Sequence, residues 1–200
     1  MLSNTYLNTL ETKWRQIIFL IDEIKLSQIC KISTGRRVTK NDLIDDGKYP
    51  VWSGGYKKFG QINKYNSLEN TLTVVKYGTA GFVNYIKEKF WANDVLYLLN
   101  PYKQELFINK KYLYYYLKNF QDKLFSLAND AIPKHLELEE LKNFTINLPS
   151  LQIQNKIVEI LDDFEKYIND ISEGLPLEIE LRQKQYEYYR NKLLSFDENK

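Results

Sequence analysis

Two hundred residues, 44% hydrophobic and 14% aromatic, suffice to bury a core, which excludes a disordered chain and fits one main domain with an appended helical element. The lone Cys30 rules out an internal disulfide framework, and with a single histidine it falls short of a structural zinc site. No aliphatic or aromatic run, Ile17–Ile21 included, is long enough to cross a bilayer, so a soluble cytoplasmic chain without metal or cofactor is expected.

The net charge of +2 is laid out unevenly. Residues 1–30 carry 3 basic and 3 acidic side chains, 31–90 carry 11 and 5, 91–133 carry 5 and 4, and 134–200 carry 9 and 14. A basic block ahead of an acidic tail fits a body that meets a polyanion and a tail that does not. The chain is rich in Lys, Asn, Ile and Tyr, a usage that AT-rich coding also produces, so no single lysine carries much weight.

In chain order, Leu7, Leu10, Trp14, Ile17 and Ile21 follow three-four spacing and predict a helix from about Asn4 to Asp22, an N-terminal segment (1–23) with an apolar seam. Residues 31–60 are punctuated by Gly35, Gly47, Pro50, Gly54, Gly55 and Gly60, which predicts short extended pieces, loops and hairpins rather than a long helix. Thr71–Val75, Phe82–Ile86 and Asp94–Leu99 read as strands of one sheet, with Gly78 and Gly81 bracketing the turn between the first two. Leu113, Leu117, Phe120, Leu124 and Leu127 predict a helix over 109–127. A loop around Pro133, a helical turn at 139–142 and a strand at 144–148 follow, and Pro149 closes a domain spanning 24–149. In the last segment, 150–200, Ile153, Ile157, Ile160, Phe164, Tyr167 and Ile171 alternate steps of four and three, a two-in-seven seam that wants a partner helix. At 1.5 Å per residue, a rod from Gln152 to Ser172 is about 32 Å long. Gly174 and Pro176 interrupt it before a second stripe that includes Ile179, Tyr186, Tyr189, Leu193 and Phe196.

PVWSGG at 50–55, VVKYGTAGFV at 74–83, AIPKHL at 131–136, INLPSLQIQNKIVEILDDF at 146–164 and LPLEIELRQKQYEYYRNKLLSF at 175–196 stand in an order that resembles the specificity subunit of type I restriction-modification systems. The resemblance spans Ile29–Phe196. It implies an α+β chain: a β-rich target recognition domain with packed helices, followed by a long helical coiled-coil spacer. It further implies double-stranded DNA as ligand, and methyltransferase and nuclease subunits as partners. The family's usual chain holds two such domains and two helical regions, whereas this sequence holds one of each. A half-length subunit that pairs with a second copy through its two seams is therefore expected.

Given that resemblance, the groups suited to DNA are long cations for phosphates and polar or aromatic groups on loops that enter a groove. Three clusters qualify: Arg36, Arg37 and Lys40; Ser53, Gly54, Tyr56, Lys57 and Lys58; and Lys76, Tyr77 and Thr79. Each also has a plain structural reading, as a solvated loop, a glycine turn and a hairpin tip. Catalysis is not expected. Glu11-Thr12-Lys13 and Glu23-Ile24-Lys25 match only the tail of a nuclease motif, no glycine-rich cofactor loop or methyltransferase motif occurs, Asp162 and Asp163 point apart on a helix, and His135 has no evident catalytic partner. The rival readings are a coiled-coil interaction protein and a free-standing dimeric DNA-binding regulator.

Overall fold

The computed structural model describes residues 22–102, 108–129, 131–163 and 184. The seam residues Leu7, Leu10, Trp14, Ile17, Ile21, Phe164, Tyr167 and Ile171 lie outside that set, as do Gly174 and Pro176. The chain divides into two compact units, 1–156 and 157–200.

The first unit is built on β-structure. Its elements are β1 (Asp22–Lys25), α1 (Leu26–Ile29), β2 (Cys30–Thr34), a 3-10 turn (Lys40–Asp42), β3 (Tyr49–Trp52), β4 (Gly60–Ile62), β5 (Thr71–Val75), β6 (Val83–Ile86), β7 (Trp91–Ala92) and β8 (Leu96–Pro101). These are followed by α2 (Lys110–Asn119), α3 (Gln121–Ser126), α4 (Leu138–Asn143) and β9 (Thr145–Leu148). A four-stranded antiparallel sheet runs β2-β8-β5-β6, and a three-stranded one runs β4-β3-β7 with β3 and β7 parallel. The segment TLTVV of β5 is rich in β-branched residues, and all five are buried because the strand has a neighbour on each side and cover on both faces. Val75, Ile86, Phe90, Ala92, Leu96 and Leu98 form a core against which Trp52 and Phe82 pack. A second core, of Val38, Val51, Ile62 and Trp91, belongs to the smaller sheet.

The three strands predicted around the Gly78 and Gly81 turn are present in one sheet, and both glycines adopt positive φ, +85° and +93°. The N-terminal boundary differs from the expectation. Asp22 and Glu23 belong to β1, which pairs with β9 in the register Asp22↔Leu148 to Lys25↔Thr145. A helical stripe ending at Ile21 carries no sign of this, because the pairing depends on a strand 120 or more residues away. The single helix expected over 109–127 is two helices with a break at Phe120 (φ −99°, ψ 25°). Leu113, Leu117 and Leu124 are fully buried as the spacing required, but Phe120 is 38% exposed. Tertiary contact explains the break: Gln121 Oε1 accepts from the Val83 N–H (3.2 Å) and from Lys118 Nζ (3.1 Å).

A helix continues through 151–163. Its first turn belongs to the first unit, where buried Gln154 accepts from the Asn109 N–H (2.8 Å) and donates to the Pro149 carbonyl (2.8 Å). In the second unit, Val158 is buried while the seam residues Ile157 and Ile160 are half-buried, as is Ile153 in the first. Among the described residues no helix is long and apolar enough to cross a membrane.

Candidate nucleic-acid interface

The three predicted clusters are far apart in sequence, and the end of β7 with the turn that follows it, Ala92–Val95, draws them together. The first is tied on by its backbone. The Arg36 N–H donates to the Ala92 carbonyl (2.9 Å), Trp91 Nε1 donates to the Arg36 carbonyl (2.8 Å), and the Val38 N–H donates to Asn93 Oδ1 (3.1 Å). Gly35 passes so close to the carbonyls of Ala92 and Asn93 that a Cβ would strike both. With Val38 buried beneath them, Arg36, Arg37 and Lys40 remain exposed, and among the described residues neither arginine head has an ion-pair partner. Asp42 fixes the far end of this loop by accepting from the Thr39 N–H (2.7 Å) and hydroxyl (2.8 Å), bonds that hold its carboxyl below the usual range. Arg36 also borders an open cavity of about 330 Å³ lined by Thr34, Asn66, Glu69 and Lys110, among others.

The second cluster joins through the same turn. Buried Asn93 donates from Nδ2 to Ser53 Oγ (3.4 Å) and to the Val38 carbonyl (3.3 Å), and its own N–H donates to the Trp52 carbonyl (3.0 Å). Asn66 reinforces the strand alongside, accepting from the Ala92 N–H (2.7 Å) and donating to the Ala92 carbonyl (2.9 Å). Tyr56 is 62% exposed, with its ring edge on Phe82 (4.5 Å between centroids). Lys57 is exposed, whereas Lys58 is paired with Glu88 at 2.8 Å.

The third cluster is mostly spent on holding the loops together. The Lys76 N–H donates to the Val95 carbonyl (2.8 Å), and Lys76 Nζ lies over the rings of Tyr77 (5.1 Å) and Tyr97 (5.6 Å). The Thr79 hydroxyl donates to the Gly54 carbonyl (2.8 Å). A Cβ at Gly54 would sit 2.5 Å from the Tyr77 carbonyl, so only glycine lets these loops meet. Tyr77 stacks on His135 (4.3 Å, 12°), and His135 Nδ1 is 2.9 Å from Glu137 Oε1. Thus Gly54, Lys76 and Thr79 are joints, and the outward groups are Arg36, Arg37, Lys40, Tyr56 and Lys57. Asn66, Asn93 and His135 complete the arrangement. A search for cations passes over the two asparagines, since only a partner strand reveals that a carboxamide is clamping backbone.

Of the two nuclease-like triplets, Glu11-Thr12-Lys13 lies outside the described residues. Glu23 and Lys25 lie on paired β1, and Lys25 Nζ donates to Asn143 Oδ1 (3.0 Å). Among the described residues no three His, Cys, Asp or Glu side chains converge as a metal site.

Residues 21–181 match the family described as the type I restriction modification DNA specificity domain. The chain belongs to that family. As a specificity domain it is 36% identical, over 90% of its length and 59% of the relative's, to the putative type I specificity subunit S.MpnORF285P of Mycoplasma pneumoniae. The type I restriction enzyme MpnII specificity subunit of the same organism is 32% identical over 88% of this chain and 53% of its own. Among solved structures, the S subunit of a type I restriction-modification system from M. genitalium superimposes with a TM-score of 0.70 at 26% identity, covering 89% of this chain and 46% of that one. The specificity domain therefore spans about half the length of the curated relatives it matches.

Proposed function

We propose that this chain is a non-catalytic, sequence-specific DNA-binding subunit of a type I restriction-modification complex, directing methyltransferase and nuclease subunits to a bipartite target. One observation carries the reading. Loops beginning at Gly35, Ser53 and Lys76 are fastened to a single turn, and they leave Arg36, Arg37, Lys40, Tyr56 and Lys57 exposed. Exposed cations beside an aromatic group on backbone-fixed loops suit phosphate contact with base readout between them. Membership of the family and the names its relatives carry support the same partners.

The test is binding to duplex DNA by fluorescence anisotropy, with and without the methyltransferase partner. Binding should weaken with salt, and Arg36→Ala/Arg37→Ala should reduce the slope of log affinity against log salt by about 2. Salt-independent or absent binding in both settings overturns the reading.

In the finer reading, the seams at Leu7–Ile21 and Ile153–Ile171 pair two copies through a helical coiled coil, so that identical half-sites are read in inverted orientation. The half-burial of Ile153, Ile157 and Ile160 supports a face that takes a partner. A spacer of about 32 Å compares with about 34 Å for one DNA turn, so adding a heptad between Ile153 and Ile171 should change the preferred gap between half-sites. A monomer by light scattering at micromolar concentration, failing also to pair with another half-subunit, excludes the dimer.

A further inference from the structure

Among the described residues one large apolar side chain is wholly without cover. Ile132 is 101% exposed, while the next two, Tyr56 and Leu68, stand at 62% and 60%. It sits at the tip of a loop closed at its base by two bonds. The Asn129 N–H donates to the His135 carbonyl (2.9 Å), and the His135 N–H donates to Asn129 Oδ1 (3.1 Å), an oxygen that the Ala131 N–H also reaches (3.3 Å). The base is then fixed to the third candidate loop. The Gly78 N–H donates to the Lys134 carbonyl (3.1 Å), the Leu136 N–H donates to the Lys76 carbonyl (2.9 Å), and Tyr77 stacks on His135. The tip therefore stands beside the candidate interface and is held there by bonds from Lys134 and Leu136, on the C-terminal side of its base.

The shape of this feature selects its partner. A stable protein contact buries roughly 800 Å² on each side, and a large exposed apolar patch is its usual mark. Ile132 offers a point instead: its flanking described residues are the small Ala131, Pro133 and the cation Lys134, all exposed. A single aliphatic side chain next to a lysine suits duplex DNA. There, apolar side chains press on a thymine methyl or wedge against a base step, while a neighbouring cation holds the phosphate. The nearby carboxylate of Glu137 lies 2.9 Å from His135 Nδ1.

We propose that Ile132 makes the apolar base contact of this chain's DNA interface, with Lys134 on the adjoining phosphate. The proposal rests on the DNA-binding reading above and adds to it a residue and a mode of contact.

The experiment begins with duplexes enriched from a randomised pool by the full chain assembled with its methyltransferase partner. Failure to enrich any duplex overturns the DNA-binding reading itself. With an enriched duplex in hand, Ile132→Ala should bind roughly tenfold more weakly or worse, at an unchanged salt slope. Lys134→Ala should lower the slope by about 1. Because Ile132 is fully exposed, the melting temperature of the alanine variant should match the parent's. Two probes separate the modes of contact. Fluorescence of 2-aminopurine that rises at one step with the parent and not with Ile132→Ala marks a wedge, and a uracil-for-thymine penalty that the variant no longer feels marks a methyl contact. The inference is overturned if Ile132→Ala binds as tightly as the parent, or if neither probe distinguishes the two proteins. Intact DNA binding with loss of the methyltransferase also overturns it and assigns Ile132 to that protein partner.

Discussion

In the four-stranded sheet, β5 lies between β8 and β6 with all five residues buried, and its cohesion is apolar. In the three-stranded sheet, β7 brings only two residues to β3, and the carboxamides of Asn66 and Asn93 supply the bonds so short a ladder lacks. The first arrangement tolerates any well-shaped apolar side chain. The second depends on particular donors and acceptors, and the candidate DNA loops hang from it.

Substitutions can set the two arrangements against each other. Leu99→Ala, at a fully buried position in β8, should cost about 2–5 kcal/mol of stability by urea denaturation while leaving the affinity of the folded protein for DNA unchanged. Asn93→Leu keeps the bulk but removes the acceptor for the Val38 and Asp94 N–H groups; it should cost about 1–3 kcal/mol and, unlike the first change, weaken DNA binding. Equal DNA affinity for both variants would break the contrast between the sheets. Thr79→Val removes the bond to the Gly54 carbonyl and should cost about 0.5–1.5 kcal/mol, with a smaller effect on affinity than Asn93→Leu.

The last effect is one of pH. Burial pushes the phenols of Tyr97 and Tyr112 up to about 12 from an ordinary value of 10.0, so each holds its proton more tightly folded than unfolded. Their contribution is fully present below pH 10 and lost as pH rises from about 10 through about 12, which urea midpoints across that window should register. Tyr97→Phe should flatten that part of the profile, although it also leaves the Leu136 carbonyl without the bond of 3.0 Å it now accepts.

The contrast also separates what could be read in the sequence from what could not. Thr71–Val75 announced itself because β-branched residues, a following glycine turn and a buried central position all agree. Trp91–Ala92 did not, since two residues carry no period and their parallel pairing with β3 is a fact of tertiary structure. Of the candidate site, Arg36, Arg37, Lys40, Tyr56 and Lys57 were legible as exposed chemistry on glycine-rich loops. That Lys58 is paired with Glu88, or that Thr79 is bonded to Gly54, depends on partners 30 and 25 residues away, beyond the reach of local pattern. The break at Phe120 has the same origin, because β6 recruits the Gln121 side chain that a helical stripe treats as surface.

The close approach of Gly54 to the Tyr77 carbonyl bears on how new targets could arise. Changes at Gly54 would push apart two loops at once and are foreclosed, whereas Arg36, Arg37, Tyr56 and Lys57 project from the same frame with their side chains outside the joint. Under the proposed DNA-binding reading, a chain built this way can exchange the letters it reads without rebuilding the page that holds them, and libraries confined to those four positions are the economical route to altered recognition.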